Sequence, residues 1–296
     1  MKTHEECIVC GAREFITAFK CIDHLVSSKE FSIMRCKACG FMFTQGIPEP
    51  AQIGAYYESP EYISHTGGRK SLTDILYGIS RSIMLRHKTG IVKKFTNTAK
   101  GTILDIGAGT GHFVMQMQKI GWNALGVEIS DNARRHATEI NEISLIPSLK
   151  EGNFAENSFD AITMWHVLEH IHEPEVYLNN LCTILKKGGI LIIALPNPES
   201  TDARHYKNNW AAYDVPRHLW HFSINHINTL TSRAGLRPVA VKRMPLDAFY
   251  IAILSERHRQ SRFALIKGLL KGSYFWLAAA ISKEKCSSLI HIYIKN

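Results

Sequence analysis

Short apolar runs alternate with helix-forming segments between residues 101 and 196 of this 296-residue chain. The apolar runs predict strands over residues 102–106, 124–129, 143–146, 159–165 and 190–195. The intervening segments predict helices. Ser130 is a suitable N-cap for one of them, and Pro174 is a suitable first residue for another, which Gly188 and Gly189 should close. Strands that alternate with helices in this way build a parallel sheet with crossover helices.

Two further strands are expected over 237–243 and 289–294, with an apolar helical stretch between them. The sheet should therefore have about seven strands, mostly parallel. Upstream, Leu72, Ile75, Leu76, Ile79 and Ile83 recur at helical spacing, so a long helix should lead into the sheet.

A glycine-rich turn, Asp105-Ile-Gly-Ala-Gly-Thr-Gly111, follows the first strand and precedes a helix. Glycine lets a backbone approach a ligand closely, and a helix N-terminus offers free N–H groups to an anion. The dinucleotide fingerprint Gly-x-Gly-x-x-Gly is not matched, because position 112 is His. An aspartate two residues before the first glycine is a different signature.

This turn resembles motif I of the class I S-adenosylmethionine-dependent methyltransferases, which have a Rossmann-like α/β fold. The likeness continues through Asn-Ser-Phe-Asp at 157–160, Val-Leu-Glu-His-Ile at 167–171 and Leu-Lys-Lys-Gly-Gly at 185–189, and covers roughly residues 100–240. In that family an acidic residue ending the second strand takes both ribose hydroxyls, and Glu128 stands there. The resemblance implies S-adenosylmethionine as cofactor, with a site that includes Asp105, Gly107, Ala108, Gly109, Gly111, Glu128, Ile129, Ser148, Leu149 and Trp165.

Four of the seven cysteines form two Cys-x-x-Cys pairs, Cys7 with Cys10 and Cys36 with Cys39. Two such knuckles place four thiolates around one tetrahedral zinc ion. A closed site of this kind has no open position for catalysis, so we expect a structural zinc ribbon. Redox thiols or packed cysteines are the alternatives. Cys21 and His24 are spare potential ligands.

Methyl transfer needs an aligned acceptor and, for oxygen or carbon acceptors, removal of a proton. His166, Glu169 and His170 follow the fourth strand, where a general base could lie, although Glu-His at this place also suits support of the loop. Tyr56, Tyr57 and Tyr62 lie in a region that forms a cap over the active site in the resembled family, or they pack at the domain edge.

A dense polar and aromatic segment, 210–223, follows the fifth strand and predicts an acceptor site. It resembles the acceptor loop of zinc-ribbon sugar methyltransferases, and His218 matches their reactive histidine. Those enzymes carry Glu-His where this chain has Arg217-His218. We expect His218 to act as the base, positioned by Asp214 or Tyr213, so that the catalytic candidates are His218, His170, His166 and Tyr213. A purely structural role for the segment is the alternative.

The charge of +9 is uneven, with −6 over residues 101–200 and +10 over 201–296. This distribution suits an anionic acceptor, a nucleic acid or a membrane surface, and it is equally compatible with simple solubility. The segment 263–281 is apolar with two lysines, so it could touch a membrane interface or serve as a core or dimer helix. Without an apolar leader, a cytoplasmic location is expected.

These observations predict three parts: a zinc ribbon over residues 1–45, a connector and cap helix over 46–98, and a methyltransferase domain over 99–296. The expected acceptor is a small or carrier-linked metabolite, with a sugar of a cell-surface polysaccharide pathway implied by the acceptor-loop resemblance. An RNA methyltransferase is the rival, although the ribbon is neutral and lacks interleaved basic and aromatic residues. A non-enzymatic binding module is the rival of another class. The oligomeric state is not determined by these patterns.

Overall fold

The computed structural model describes residues 3–49, 52–57 and 72–296. Within this part of the chain, six strands form the main sheet in the order β5-β4-β6-β7-β10-β9. Their bounds are Thr102–Ile106 for β4, Asn123–Val127 for β5, Phe159–Trp165 for β6, Leu185–Pro196 for β7, Leu236–Arg243 for β9 and Ser288–Lys295 for β10. The expected α/β alternation is confirmed.

The helices of the described residues have the following bounds: α1 Leu72–Thr96, α2 His112–Lys119, α3 Asp131–Asn141, α4 Leu149–Gly152, α5 Pro174–Ile184, α6 Thr201–Tyr206, α7 Ile224–Arg233, α8 Asp247–His258 and α9 Ala264–Ile281. The side chain of Ser130 accepts a hydrogen bond from the Ala133 N–H, so the predicted N-cap of α3 is present. Pro174 opens α5 as predicted.

For the described residues, the expectation of about seven strands is too high by one, while the expected mostly parallel arrangement is present in three of the five strand pairings. The segment 143–146 contributes only one parallel bridge, between Ile146 and Val127, and Pro147, which has no N–H to donate, follows at once. The last two strands pair antiparallel to their neighbours, so the sheet is mixed. Gly188 and Gly189 do not close α5 either, because the helix ends at Ile184 and both glycines lie inside β7.

Alternate residues of the central strands face opposite sides of the sheet and enter separate apolar clusters. On one side Ile103, Ala161 and Ile192 pack with buried residues of α1, α2 and α3. On the other side Leu104, Ile162 and Leu191 pack with α5 and α7. Helices therefore cover both faces.

The N-terminal residues form a second, antiparallel sheet from β1 (Phe15–Ile22), β2 (Glu30–Cys36) and β3 (Met42–Gln45). Its fourth strand, β8 (Trp220–His221), comes from the predicted acceptor loop and pairs with β3. Cys7, Phe41 and Phe43 lie in the same apolar cluster as the sheet residues Leu104 and Leu191. The ribbon and the methyltransferase domain therefore share one core.

Candidate functional site

The glycine turn lies at the carboxyl end of β4 and is fixed to the end of β5. The backbone N–H groups of Gly107 and Ala108 both donate to the Val127 carbonyl, at 2.8 and 3.0 Å. Gly107 has a φ of +68°, and a Cβ there would lie 2.4 Å from a methyl group of Val167. Glycine is required at this position because the loop after β6 packs directly onto the turn.

Glu128 connects this turn to α3. Its carboxylate accepts the Gly109 N–H at 2.8 Å and the Ser130 N–H at 2.9 Å. A carboxylate offers about four lone-pair positions, so further acceptor capacity remains for hydroxyl groups. A Cβ at Gly109 would meet nothing within 4 Å, and the apolar Ile129 beside Glu128 is 87% exposed. Open space, a carboxylate and an exposed apolar side chain fit a cofactor with a ribose and an adenine ring.

Asp105 lies beneath the turn and is 3% exposed. It accepts a hydrogen bond of 2.6 Å from the Thr163 hydroxyl on β6. Burial raises the pKa of Asp105 to about 7, although Thr163 and the ammonium of Lys88 oppose the rise. At neutral pH this carboxyl group is therefore only partly ionised.

The remaining predicted cofactor residues lie around the same edge of the sheet. The N–H of Glu128 donates to the Ile146 carbonyl, which brings Ser148 and Leu149, at the start of α4, close to the end of β5. Gly111 caps α2. Trp165 is buried at the end of β6, stacks edge-on against Phe113 and lies under the ammonium of Lys88.

A second cluster lies on the loop after β6 and on the predicted acceptor loop. It contains Glu169, His170 and His218, with ligand atoms of the three side chains within 4.8 Å of one another. The two imidazole rings meet edge to face at 4.6 Å. The N–H of Leu219 donates to the Glu169 carbonyl, which joins the two loops directly.

Backbone carbonyls orient both imidazoles of this cluster. Nδ1 of His218 lies 2.8 Å from the Ala212 carbonyl, and Nδ1 of His170 lies 3.0 Å from the Arg217 carbonyl. Carbonyl oxygens only accept, so each Nδ1 carries the hydrogen and each Nε2 presents a lone pair. Nε2 of His218 lies 3.9 Å from Glu169 Oε1. Each ring can therefore accept a proton or bind a cation through Nε2.

Glu169 is buried in this cluster, with its side chain 1% exposed, and neither of its oxygens makes a hydrogen bond of normal geometry. His166 Nδ1 lies 3.5 Å from Glu169 Oε1, and its Nε2 lies 3.0 Å from Asp247. Burial would lower the pKa of His166, but the Asp247 and Glu169 carboxylates outweigh it and raise that pKa to about 10. His166 is therefore a cation at neutral pH and is better suited to hold Glu169 than to accept a proton.

Tyr57 is the connector residue that the structure brings into the cluster. Its hydroxyl lies 2.9 Å from His170 Nδ1. Burial, together with the neighbouring His218, lowers the pKa of His170 to about 4, so this imidazole is neutral in the physiological range. Tyr62, the third tyrosine of the predicted cap, lies outside the described residues, as do all residues from 58 to 71.

Tyr213 lies apart from the cluster, contrary to expectation. Its ring is buried between Phe19 and Trp210, at centroid distances of 5.0 Å from each. Asp214 does contact His218, since its carbonyl accepts the His218 N–H at 2.9 Å and its Oδ2 lies 3.9 Å from Nε2, although its carboxylate mainly pairs with Arg217. The Ala212 carbonyl orients the imidazole of His218. A backbone contact of this kind cannot be predicted from a pattern of side chains.

Arg217 connects the predicted acceptor loop to the rest of the molecule. The guanidinium is 1% exposed and donates to Asp214 on its own loop, to Asp23 of the ribbon at 3.0 Å and to the Tyr56 carbonyl at 3.1 Å. One side chain thus holds the ribbon, the connector and the acceptor loop together. Asp23 and Asp247 could not be identified as site residues from the sequence, because neither belongs to a local motif.

The four cysteines of the two knuckles converge on one point. Sγ of Cys7 lies 3.7 Å from Sγ of Cys39, and Sγ of Cys10 lies 3.5 Å from Sγ of Cys36. Tetrahedral zinc with bonds of about 2.3 Å separates its sulfurs by about 3.8 Å. Cys21 lies in a separate apolar cluster, and His24 stacks on His258. The knuckle thiols therefore have the spacing that a four-cysteine zinc site requires.

A sequence profile of the methyltransferase domain matches residues 83–241, more than half of the chain. A ubiquinone biosynthesis O-methyltransferase of Dinoroseobacter shibae is 30% identical over 51% of this chain and 66% of its own length. One of Caulobacter vibrioides is 32% identical over 32% of this chain and 41% of its own length. The match thus covers less than two thirds of the length of each of these relatives. Their names do not support the expected sugar pathway.

Among solved structures, a 1,6-didemethyltoxoflavin-N1-methyltransferase of Burkholderia thailandensis, determined with its substrate and S-adenosylhomocysteine, superposes with a TM-score of 0.51. It is 15% identical, and the match covers 93% of this chain and 99% of that one. At this identity the likeness concerns the fold alone.

Proposed function

The chain belongs to the methyltransferase-domain family and is an S-adenosylmethionine-dependent methyltransferase, and we propose that it methylates an oxygen atom of a small or carrier-linked acceptor. The cofactor supplies an electrophilic methyl group on a sulfonium. Glu128 would accept hydrogen bonds from the ribose hydroxyls, and the open face at Gly109 would admit the cofactor against the backbone. Ile129 would cover part of the adenine ring.

The observation that carries the proposal is the pair of oriented imidazoles, one of which belongs to the loop that packs on the glycine turn. The Val167–Gly107 contact brings the Glu169–His170–His218 loop region next to the cofactor edge. An acceptor hydroxyl placed there would find two Nε2 lone pairs and a buried carboxylate that can stabilise a developing imidazolium. Methyl transfer to oxygen requires that a proton leave, so this cluster supplies what an oxygen acceptor needs.

The named relatives favour an oxygen acceptor, since they are O-methyltransferases of ubiquinone biosynthesis. A sugar hydroxyl, which the acceptor-loop resemblance implies, belongs to the same chemical class and is retained only as one acceptor to be tested. We assign His218 as the first candidate base and His170, in contact with Tyr57, as the second.

Mass spectrometry of a metabolite extract, incubated with the protein and labelled cofactor, would identify the acceptor. His218→Ala should then lower turnover by about two to four orders of magnitude while leaving cofactor affinity nearly unchanged. His87→Ala, on α1 outside the cluster, is the matched control. If His170→Ala loses turnover and His218→Ala retains it, the base is His170. If neither change matters, the acceptor is an amine that needs no base, and the oxygen proposal fails.

We also propose one structural zinc ion per chain, held by Cys7, Cys10, Cys36 and Cys39. The sulfur spacing supports this site, and so do two matching turns. In one turn the Gly11 N–H donates to the Cys7 carbonyl, and in the other the Gly40 N–H donates to the Cys36 carbonyl. Zinc at this site would fix β3, and β3 carries β8 and the acceptor loop. Its role would be to hold His218 in place without contacting the acceptor.

A further inference from the structure

Helix α9 packs through a narrow seam that fixes which of its faces points outward. Four of its 18 residues are buried: Gly268, Gly272, Phe275 and Ala279. A Cβ at Gly268 would lie 2.5 Å from the Cα of Ile253, and one at Gly272 would lie 2.8 Å from the Cα of Phe249. The α8 and α9 backbones therefore approach so closely that α9 cannot rotate to bury its other face.

The outward face of α9 is apolar, and we define it as the α9 ridge. Its large exposed side chains have exposed fractions from 41 to 86% and are Leu265, Ile266, Leu269, Leu270, Tyr274, Trp276, Leu277 and Ile281. Contiguous apolar surface on this scale marks an interaction site. Among the described residues, α9 is the one helix long and apolar enough to cross a membrane. Its seam with α8 assigns it instead to the surface of the fold.

Positive charge brackets the α9 ridge at both ends. Arg257, Arg259 and Arg262 precede the helix, Lys283 and Lys285 follow it on either side of Glu284, and the chain has no acidic residue between Arg257 and Lys283. Lys271 points to the seam, where it pairs with Glu256 at 2.7 Å, so it does not interrupt the ridge. An apolar helix face with basic flanks and aromatic side chains is the pattern of a helix that lies in a membrane interface.

We propose that the α9 ridge binds the surface of an anionic lipid bilayer. A second copy of this chain is a poorer occupant. Two ridges packed antiparallel would bring the arginines of one copy onto Lys283 and Lys285 of the other, and parallel packing would oppose the arginines to each other. Like charges repel in both arrangements. Anionic headgroups neutralise both ends at once, while the acyl chains cover the apolar side chains.

The ridge also runs toward the functional site. The contacts of Gly268 with Ile253 and of Gly272 with Phe249 make α8 and α9 antiparallel, so the end of α9 at Ile281 approaches the start of α8 at Asp247. Asp247 pairs with His166 on the loop after β6. On the proposed function, an amphiphilic acceptor anchored in the bilayer would therefore reach the site from this end. Lipid binding itself is measured without turnover, so the two proposals fail separately.

Co-sedimentation with vesicles of phosphatidylcholine, with and without phosphatidylglycerol, tests the proposal. The protein should sediment with the anionic vesicles. The double change Leu270→Glu with Leu277→Glu should lower the partition coefficient at least about ten-fold, because it puts charges into the interface. Ile140→Glu is the control, since Ile140 is 65% exposed on α3, away from the ridge. Calorimetric binding of S-adenosylmethionine by every variant verifies the fold.

Charge removal tests the flanks separately. Each basic residue near an anionic surface contributes about 1 kcal/mol, so Arg257→Gln with Lys283→Gln should weaken binding roughly thirty-fold. Wild-type sedimentation no greater than that of the Leu270→Glu, Leu277→Glu variant would overturn the proposal. It would also be overturned by a dimer that forms without vesicles and dissociates in that variant, because the ridge would then be a subunit interface.

Discussion

Arg217→Met tests whether the buried guanidinium holds the molecule together. Methionine retains much of the volume but removes the donors to Asp214, to Asp23 and to the Tyr56 carbonyl. Two carboxylates then remain in the interior without their cation, because the side chains of Asp23 and Asp214 are 0 and 19% exposed. Removing one partner of a buried ion pair costs about 3–5 kcal/mol.

That cost is a large fraction of the stability of an ordinary domain, about 5–15 kcal/mol. The lower end of the range is the better guide, since Asp23 also accepts the N–H of Ser27 at 2.8 Å and its hydroxyl at 2.7 Å and keeps these bonds in the variant. At about 2–4 °C per kcal/mol for a chain of this size, a cost of about 3 kcal/mol should lower the melting temperature by roughly 6–12 °C. Differential scanning calorimetry at neutral pH measures it.

The loss should depend on pH in a defined direction. Burial alone would raise the pKa of Asp23, but the Ser27 hydrogen bonds and the Arg217 guanidinium hold it below its usual value. Burial likewise opposes the lowering of the Asp214 pKa, which is due first to His218 and then to Arg217. A carboxylate with a lowered folded-state pKa contributes stability above its unfolded pKa of about 4 and loses it as the pH falls further. The difference between wild type and variant should therefore narrow in acid.

Arg13→Met is the matched control, because Arg13 pairs with Glu6 at 3.6 Å on the same module but is 78% exposed. Exposed pairs contribute about 0–1 kcal/mol. If Arg217→Met melted no lower than Arg13→Met, the guanidinium would not hold the three segments together, and the argument from burial would be refuted.

Four further outcomes are expected. Glu128→Ala should weaken S-adenosylmethionine binding roughly ten- to hundred-fold for each ribose bond lost, and calorimetry showing NAD binding without an S-adenosylmethionine signal would contradict the cofactor assignment. Metal analysis of protein purified without chelator should find one zinc ion per chain, and the absence of stoichiometric zinc would contradict the proposed site. Chelation should lower the melting temperature of the whole molecule, because the ribbon shares its core, and an unchanged catalytic transition would disprove that coupling. Asp247→Asn should move the pKa of His166, observed by NMR, from about 10 toward its usual value. In the wild type the raised pKa stabilises the fold below about pH 6.5, and this stability is lost as the pH rises to about 10; the variant should lose less over that range.

Local sequence patterns determined the elements whose signals are local. The apolar runs located five strands of the main sheet and half of a sixth, β7, and Ser130 and Pro174 located two helix starts. Periodicity and capping are readable because they depend on residues within one turn or one strand. The cysteine pairs and the Asp105–Gly111 turn were equally readable, since their chemistry requires fixed spacing along the chain. The strand expected over 143–146, which is followed by Pro147, is reduced to one bridge between Ile146 and Val127.

Tertiary structure alone decided which distant residues share a site. The pairing of β3 with β8 joins the ribbon to the acceptor loop, and the contacts of Asp23 with Arg217 and of Tyr57 with His170 cross 194 and 113 positions of sequence. Contacts between residues so far apart in sequence produce no periodic pattern, because they depend on how whole strands and helices pack against each other. The same holds for the Ala212 carbonyl that orients His218, for Tyr213 in the core and for the face of α9 that remains exposed. The sequence thus determined the elements and their chemistry, and packing determined their neighbours.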